Sequence, residues 1–296
     1  MKEWSLPLAM FVGAVFYRYT SLLAPMIPFL IFVMLLLTFC RLSPKEVKLN
    51  RLHVWLLGIQ LVGAVAVYLV LGLYDEVVAQ GTMVCVLAPT ATAAAVITGL
   101  LGGNIAFLTS YVIFCSVGVA VAAPLLFSFM GAQTDVPFFT SVARIATEVG
   151  PVLIIPLLTA WGLYYFLPAV HRKLMQWSLG SYYLWVIALT VVTGRTTLFL
   201  VSQQDPDYTT EIAIALGALV VCIAQFWLGR FLGRRYNNDA VSAGQGLGQK
   251  NTILAIWMAQ VYLHPLASIG PAAYIVWQNG INSYQLWRYR RNHTSS

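Results

Sequence analysis

The sequence predicts an all-α membrane protein of about ten transmembrane helices in two five-helix repeats inserted upside down relative to each other, the fourth helix of each being discontinuous. Three observations predict it. The 296 residues are 59% hydrophobic and only 9% charged, against about 25% charged in an ordinary soluble domain. Apolar runs bounded by charged or Gly/Pro/Asn punctuation recur at the length of about 20 residues that a helix needs to cross hydrocarbon. Lysines and arginines gather in alternate loops, the pattern expected when positive charge stays on the cytoplasmic side.

In chain order the expected spans are about 4–18, 22–40, 52–73, 77–100, 104–131, 147–168, 176–201, 210–233, 240–262 and 265–287. The first has the look of a signal peptide, but it lacks a small-residue cleavage site and runs on into further apolar sequence, so it is read as a short span. A nine-span reading omits it. With ten spans and the N-terminus inside, the inner segments collect Lys2, Arg41, Lys45, Lys48, Arg51, Arg172, Lys173, Arg230, Arg234, Arg235, Arg288, Arg290 and Arg291, thirteen of the 17 basic residues. The outer segments keep Arg18 and Arg144 and hold Asp75, Glu76, Asp135, Asp205, Asp207 and Glu211. The net charge of +7 is thus topological. It calls for no nucleic-acid partner, and it places both termini in the cytoplasm of a chain integral to a lipid membrane.

The polar stretch GAQTDVPFFTSVARIATEVG divides the chain into repeats at 1–132 and 133–296. An odd number of spans per repeat inverts the second relative to the first, the plan of many secondary transporters. In the fourth span Pro89 stands mid-span beside Thr90 and Thr92; in the ninth, Gly244, Gly246 and Gly248 do the same. Proline removes a backbone donor and glycine weakens a helix, so both spans are expected to break inside the membrane. Paired breaks in corresponding positions point to a transport site. The plainer reading is that small residues let helices pack closely.

Cys40, Cys85, Cys115 and Cys222 lie in or at the ends of apolar runs without metal-ligand spacing, so they read as packing residues, with no disulfide framework, metal or cofactor implied. His53, His171, His264 and His293 fall near span ends or in the tail, and neither HExxH nor GxSxG occurs. These features argue against an intramembrane enzyme. A channel or a non-transporting sensor would share the topology.

Two basic residues remain inside spans. Arg195, about a turn inside the outer end of the seventh, either snorkels to the interface or attracts anions at an outer mouth. Lys250 sits within GQGLGQKNTIL, and a lysine near the bilayer centre costs about 2.5–3.5 kcal/mol on insertion scales, so it is expected to face a cavity, a partner or a substrate. Gln245 and Gln249 stand ready to add polar contacts there or to satisfy broken backbone.

Pro89, Thr92, Thr98, Gly103 and Asn104, together with Gly248 and Asn251 of the run Gly246 to Asn251, resemble the two motifs of the bile acid:sodium symporters and their bacterial homologues. The resemblance implies a panel domain from spans 1, 2, 6 and 7 and a core domain from spans 3–5 and 8–10, with discontinuous helices 4 and 9 crossed in the core. It implies transport of small organic anions across a bacterial inner membrane. Thr92, Asn251 and neighbouring amides such as that of Ala93 would contact the anion, aided by the charge of Lys250.

The departures from that family's pattern fall on sodium ligands. A Ser-Asn pair becomes Ala94 and Ala95, the motif glutamate becomes Gly246, and two hydroxyl positions become Leu108 and Val112. In the other site Lys250 replaces a glutamine. The expectation is a sodium-independent transporter in which the ammonium stands where sodium would bind. A Lys250 that loses its proton during the cycle would couple transport to protons, and one that stays charged would make a uniporter or exchanger. An ordinary sodium symporter is the alternative. A compact polar crossing favours a small hydroxy or keto acid over a steroid conjugate.

Overall fold

The computed structural model describes residues 5–41, 44–91, 93–130, 137–202, 208–236 and 239–293. Among them all regular structure is helical apart from one isolated antiparallel β-bridge, Thr90 to Lys250. The elements are α1 (Ser5–Val15), α2 (Tyr17–Thr20), a 3-10 segment Ser21–Met26, α3 (Ile27–Phe39), a 3-10 turn Pro44–Glu46, α4 (Arg51–Leu71), α5 (Glu76–Leu87), α6 (Ala93–Leu100) and α7 (Ile105–Phe129). They continue with α8 (Phe138–Phe166), α9 (Pro168–Gln176), α10 (Ser178–Ser202), α11 (Tyr208–Tyr236), α12 (Ala240–Gly248), α13 (Thr252–Tyr262), a 3-10 turn Pro265–Ser268 and α14 (Ile269–His293). Among the described residues, six stretches are long and apolar enough to cross a membrane: Tyr17–Phe39, Arg51–Leu71, Ile105–Phe129, Phe138–Phe166, Tyr183–Ser202 and Tyr208–Tyr236. The chain is therefore an all-helical protein compatible with integral membrane residence.

Polar caps set many boundaries. Asn50, Asp75, Asn104, Asp239 and Asn251 each precede a helix and accept a backbone N–H three residues on, satisfying donors that a helix start leaves unpaired. At α4 the cap is reciprocal: His53 Nδ1 accepts from Asn50 N at 3.0 Å while its Nε2 meets the carbonyl of Phe107 at 3.0 Å. His264 similarly caps the turn Pro265–Ser268. Gly102, with φ +73°, makes the turn between α6 and α7, a conformation that glycine adopts without the penalty a Cβ brings.

Three expectations need correction. The sixth span was expected from 147, but α8 begins at Phe138, because Ser141, Ile145 and Val149 form one buried stripe at helical spacing. Arg144 and Glu148 therefore belong to the helix, where they form an i,i+4 ion pair at 3.6 Å. The first span ends at Val15 after 11 described helical residues, short of a crossing length. The glycines of the ninth span do not form the break: Gly244, Gly246 and Gly248 lie within α12, and the helix opens after them, at Gln249 to Asn251.

Those glycines are packing surfaces. A Cβ on Gly244 would lie 2.6 Å from Arg230 Cγ, and one on Gly248 would run into the ring of Phe226. The opposing face of α11 carries Gly229 and Gly233, four residues apart, and Cβ atoms there would collide with the carbonyl oxygens of Ala243 and Asp239. This small-xxx-small contact lets α11 and α12 approach backbone to backbone. Gly270 does the same between α14 and α5, where a Cβ would collide with the carbonyl oxygen of Gly81. The four cysteines are free and buried.

Contacts between distant parts of the chain sort the helix ends into two sets. Trp55 stacks on Tyr236 and Ser242 Oγ accepts from Asn104 N at 2.7 Å at one end, the end rich in Arg and Lys. At the other, Gln80 Oε1 accepts from His264 N at 2.8 Å, and Tyr262, stacked on Phe127, donates to Glu148 Oε2 at 2.8 Å. Helices α1, α2, α3 and α10 pack together, as do α5, α11, α12 and α14, while α8 lies against both α3 and α7.

Candidate functional site: the crossing of two broken helices

Pro89 breaks the first helix by the expected route. Its ring disfavours helical backbone in the preceding residue, and Ala88 has φ −47° and ψ 137°. Helix α5 stops at Leu87, and α6 resumes at Ala93. The second break has no proline. It is held open by the first, because Ala91 N donates to Gln249 O and Asn251 N donates to Pro89 O, both at 2.8 Å. Thr90 Oγ1 adds a third link, donating to Gly246 O at 2.6 Å.

Breaking a helix strands the last carbonyls of its first half, and inside a membrane each needs a partner. For α5 the partners are side chains from elsewhere. Gln60 Nε2 donates to Leu87 O at 2.9 Å and Ala88 O at 3.0 Å, and its Oε1 accepts from Tyr111 OH at 3.2 Å and from the Cys115 thiol at 3.4 Å. Lys250 Nζ donates to Val86 O at 2.9 Å. For α12, Gly248 O accepts from Tyr274 OH at 2.8 Å, and Lys250 N donates to Gln278 Oε1 at 2.9 Å.

Lys250 is 1% exposed. Its stem is buried at the crossing, and its ammonium meets the carbonyl end of α5, where the helix dipole is negative. The cation that composition made conspicuous thus has a structural partner, and the ammonium is withdrawn from solvent. The N-terminal ends of the second halves are more open: Ala93 is exposed and Asn251 half-buried. Asn251 Oδ1 also accepts from Leu254 N at 3.3 Å, capping α13. Thr92 lies outside the described residues.

The other expected residues divide. Thr90 is at the crossing. Gln245 and Gln249 belong to a polar ladder: Gln245 Nε2 donates to Asn282 Oδ1 at 2.9 Å and Gln285 Oε1 at 3.1 Å, and Gln249 Oε1 accepts from Asn282 Nδ2. Thr98, fully buried, sits at the far end of α6, where a Cβ on Gly103 would touch its methyl at 2.7 Å. Arg195 is half-buried on α10, beside Thr196, whose hydroxyl accepts from Gln260 of α13 at 3.0 Å. Both are away from the crossing.

The sites of the departures are filled with hydrocarbon. A Cβ on Gly246 would stand 2.9 Å from the Tyr111 ring and 3.5 Å from Leu108, and Ala94, Leu108, Tyr111 and Val112 are buried at 2% exposure or less. Ala95 is partly buried against the same core.

Two features escaped the sequence reading. Gln60 is one amide in an apolar span, without any local signal. The stripe Tyr274, Gln278, Asn282 and Gln285 recurs at 4, 4 and 3 residues along α14, which marks one helical face, and that periodicity was there to be found. Replacing Gln60 with Leu is expected to lower stability by about 2 kcal/mol or more, since it strips two buried carbonyls and the Tyr111 hydroxyl of their partner. The midpoint of thermal unfolding in detergent checks this, and an unchanged midpoint contradicts the accounting.

Comparison of the sequence with protein-family models and with curated proteins finds no match to either.

Proposed function

We propose that this chain is a secondary transporter of small organic anions, built on the plan of the bile acid:sodium symporters and working without sodium. Its ten spans, the first a short one that does not cross fully, form two inverted repeats, α5–α6 and α12–α13 being the crossed discontinuous pair, and its basic ends lie on the cytoplasmic side of a bacterial inner membrane. The observation that carries the reading is the Lys250 ammonium, 1% exposed and 2.9 Å from the Val86 carbonyl at the crossing of two broken helices. A fixed cation there neutralises a helix end as a bound sodium would, and it repels a second cation in the same low-dielectric place.

Three further features support it. The bridge between the breaks is antiparallel, as spans of opposite direction require. The space beside Gly246, where the resemblance would set a sodium-ligating glutamate, holds Tyr111 and Leu108. The starts of α6 and α13, with Ala93 exposed and Asn251 half-buried, offer the positive ends of two helix dipoles to an anionic group. That geometry suits a small carboxylate. Helices α1–α3, α8 and α10 would be the panel, and α4–α7 with α11–α14 the core.

The test is thermal unfolding of the purified protein titrated with NaCl against equimolar choline chloride. A ligand of the folded state raises the midpoint by mass action. No sodium-specific shift is expected, and a saturable one overturns the lysine-for-sodium reading in favour of an ordinary symporter. A small carboxylate that raises the midpoint is then expected to exchange across proteoliposomes in sodium-free buffer. Failure of such a ligand to exchange overturns transport.

A further inference from the structure

A cleft of about 500 Å³ opens between α11 and α14 at the basic end of the bundle, closed from behind by Leu101 and Val241. Arg230, Arg234 and Arg288 all line it, and no Asp or Glu appears among its described lining residues. The single ion pair among the described residues, Arg144 with Glu148, lies elsewhere. Three guanidinium groups thus share one cleft with no carboxylate among its described lining residues, although Arg230 Nη2 donates to Gln285 Oε1 at 2.8 Å.

Apart from Gln285 and Asn292, the remaining walls are apolar or aromatic. Ile223, Trp227 and Tyr284 are 52%, 64% and 57% exposed, and on membrane-spanning helices such side chains face lipid tails. Arg230 precedes the end of α11 by six residues, about 9 Å along the axis. The cleft therefore grades from apolar walls to fixed positive charge over the depth at which a phospholipid passes from acyl chain to phosphate. Basic pockets between spanning helices on the cytoplasmic side are suited to acidic lipid headgroups.

We infer that this cleft binds an anionic phospholipid of the inner leaflet, its phosphate on Arg230, Arg234 and Arg288 and an acyl chain along Ile223 and Trp227. A soluble anion would use the arginines but not the lateral apolar walls. The site also communicates with the crossing. Arg230 shares the Gln285 oxygen with Gln245, which bonds Asn282, which bonds Gln249 beside Lys250. A phosphate that draws Arg230 away releases one acceptor in that chain.

The experiment compares unfolding midpoints in detergent with added phosphatidylglycerol, with phosphatidylcholine of the same acyl chains, and with glycerol 3-phosphate. Phosphatidylglycerol is expected to raise the midpoint saturably by about 2–4 °C, while the other two leave it unchanged. The double variant Arg234→Gln/Arg288→Gln, at two exposed positions, is expected to lose that rise while keeping the wild-type midpoint in phosphatidylcholine. An equal rise in the variant, or with phosphatidylcholine, overturns the site. A rise with glycerol 3-phosphate alone overturns the lipid in favour of a soluble anion. If the double variant does not fold, native mass spectrometry of each single variant counts retained phosphatidylglycerol. Retention equal to wild type then overturns the proposal, and loss of it supports the proposal.

Discussion

Replacing Lys250 with Met is expected to lower stability by about 1.5–3 kcal/mol, the range for a hydrogen bond to a charged group and for a buried acceptor left alone. Methionine keeps most of the stem's volume, so the loss reports the ammonium and not a cavity. The variant leaves Val86 O bare among residues that are themselves almost wholly buried, Val86 at 5% and Ala88 at 0%. At about 2 °C per kcal/mol for a chain of this size, the midpoint should fall by several degrees. Lys250→Gln separates a cation that stands in for sodium from one that merely fills space. The amide restores an oxygen acceptor without charge, so on the proposed reading NaCl, but not choline chloride, recovers part of the lost midpoint in this variant and none in Lys250→Met. Equal behaviour of both variants in both salts leaves Lys250 a structural lysine.

The second large effect belongs to Gly229. A methyl there meets the carbonyl oxygen of Ala243 and comes within 2.9 Å of Gly244 Cα. Both are backbone atoms and cannot rotate away, so Gly229→Ala must push α12 off α11, at a cost of about 1–3 kcal/mol or more. Because α12 carries one side of the crossing, the yield of monodisperse protein should fall as well as the midpoint. Gly58, inside α4 with nothing within 4 Å of an added Cβ, is the control. Gly58→Ala is expected to be neutral or stabilising by up to about 1 kcal/mol through helix propensity. Similar losses in both variants would contradict the close-packing account.

The sequence made the long helices legible because composition alone sets their length: α4, α7 and α11 begin and end within about three residues of the runs read from hydropathy and charge. The break at Pro89 was legible for a local reason, a residue that forbids the helix. The break after Gly248 was placed too early, because glycine's low propensity competes with burial in a packed helix. Here packing wins, and the opening is dictated by residues about 160 positions away. The same limit hid the partners of the stranded carbonyls. Nothing near Gln60 foretells that its amide reaches Leu87 and Ala88, and nothing near Val86 foretells a lysine. A linear reading leaves Arg144 in the loop before the sixth span, because its charge outweighs the apolar stripe of Ser141, Ile145 and Val149.

The link between Lys250 and Val86 spans 164 positions, and this has a consequence for the order in which the protein is made. When α5 and α6 are made, the segment around Lys250 that will receive them has not been synthesised. Only Gln60, 27 and 28 positions from Leu87 and Ala88, belongs to the same early stretch and reaches these exposed carbonyls. The carbonyls of Val86 and Pro89 therefore gain their partners only when Lys250 and Asn251 have been made. Each half completes the other, so a chain that stops between them lacks the partner of the Val86 carbonyl.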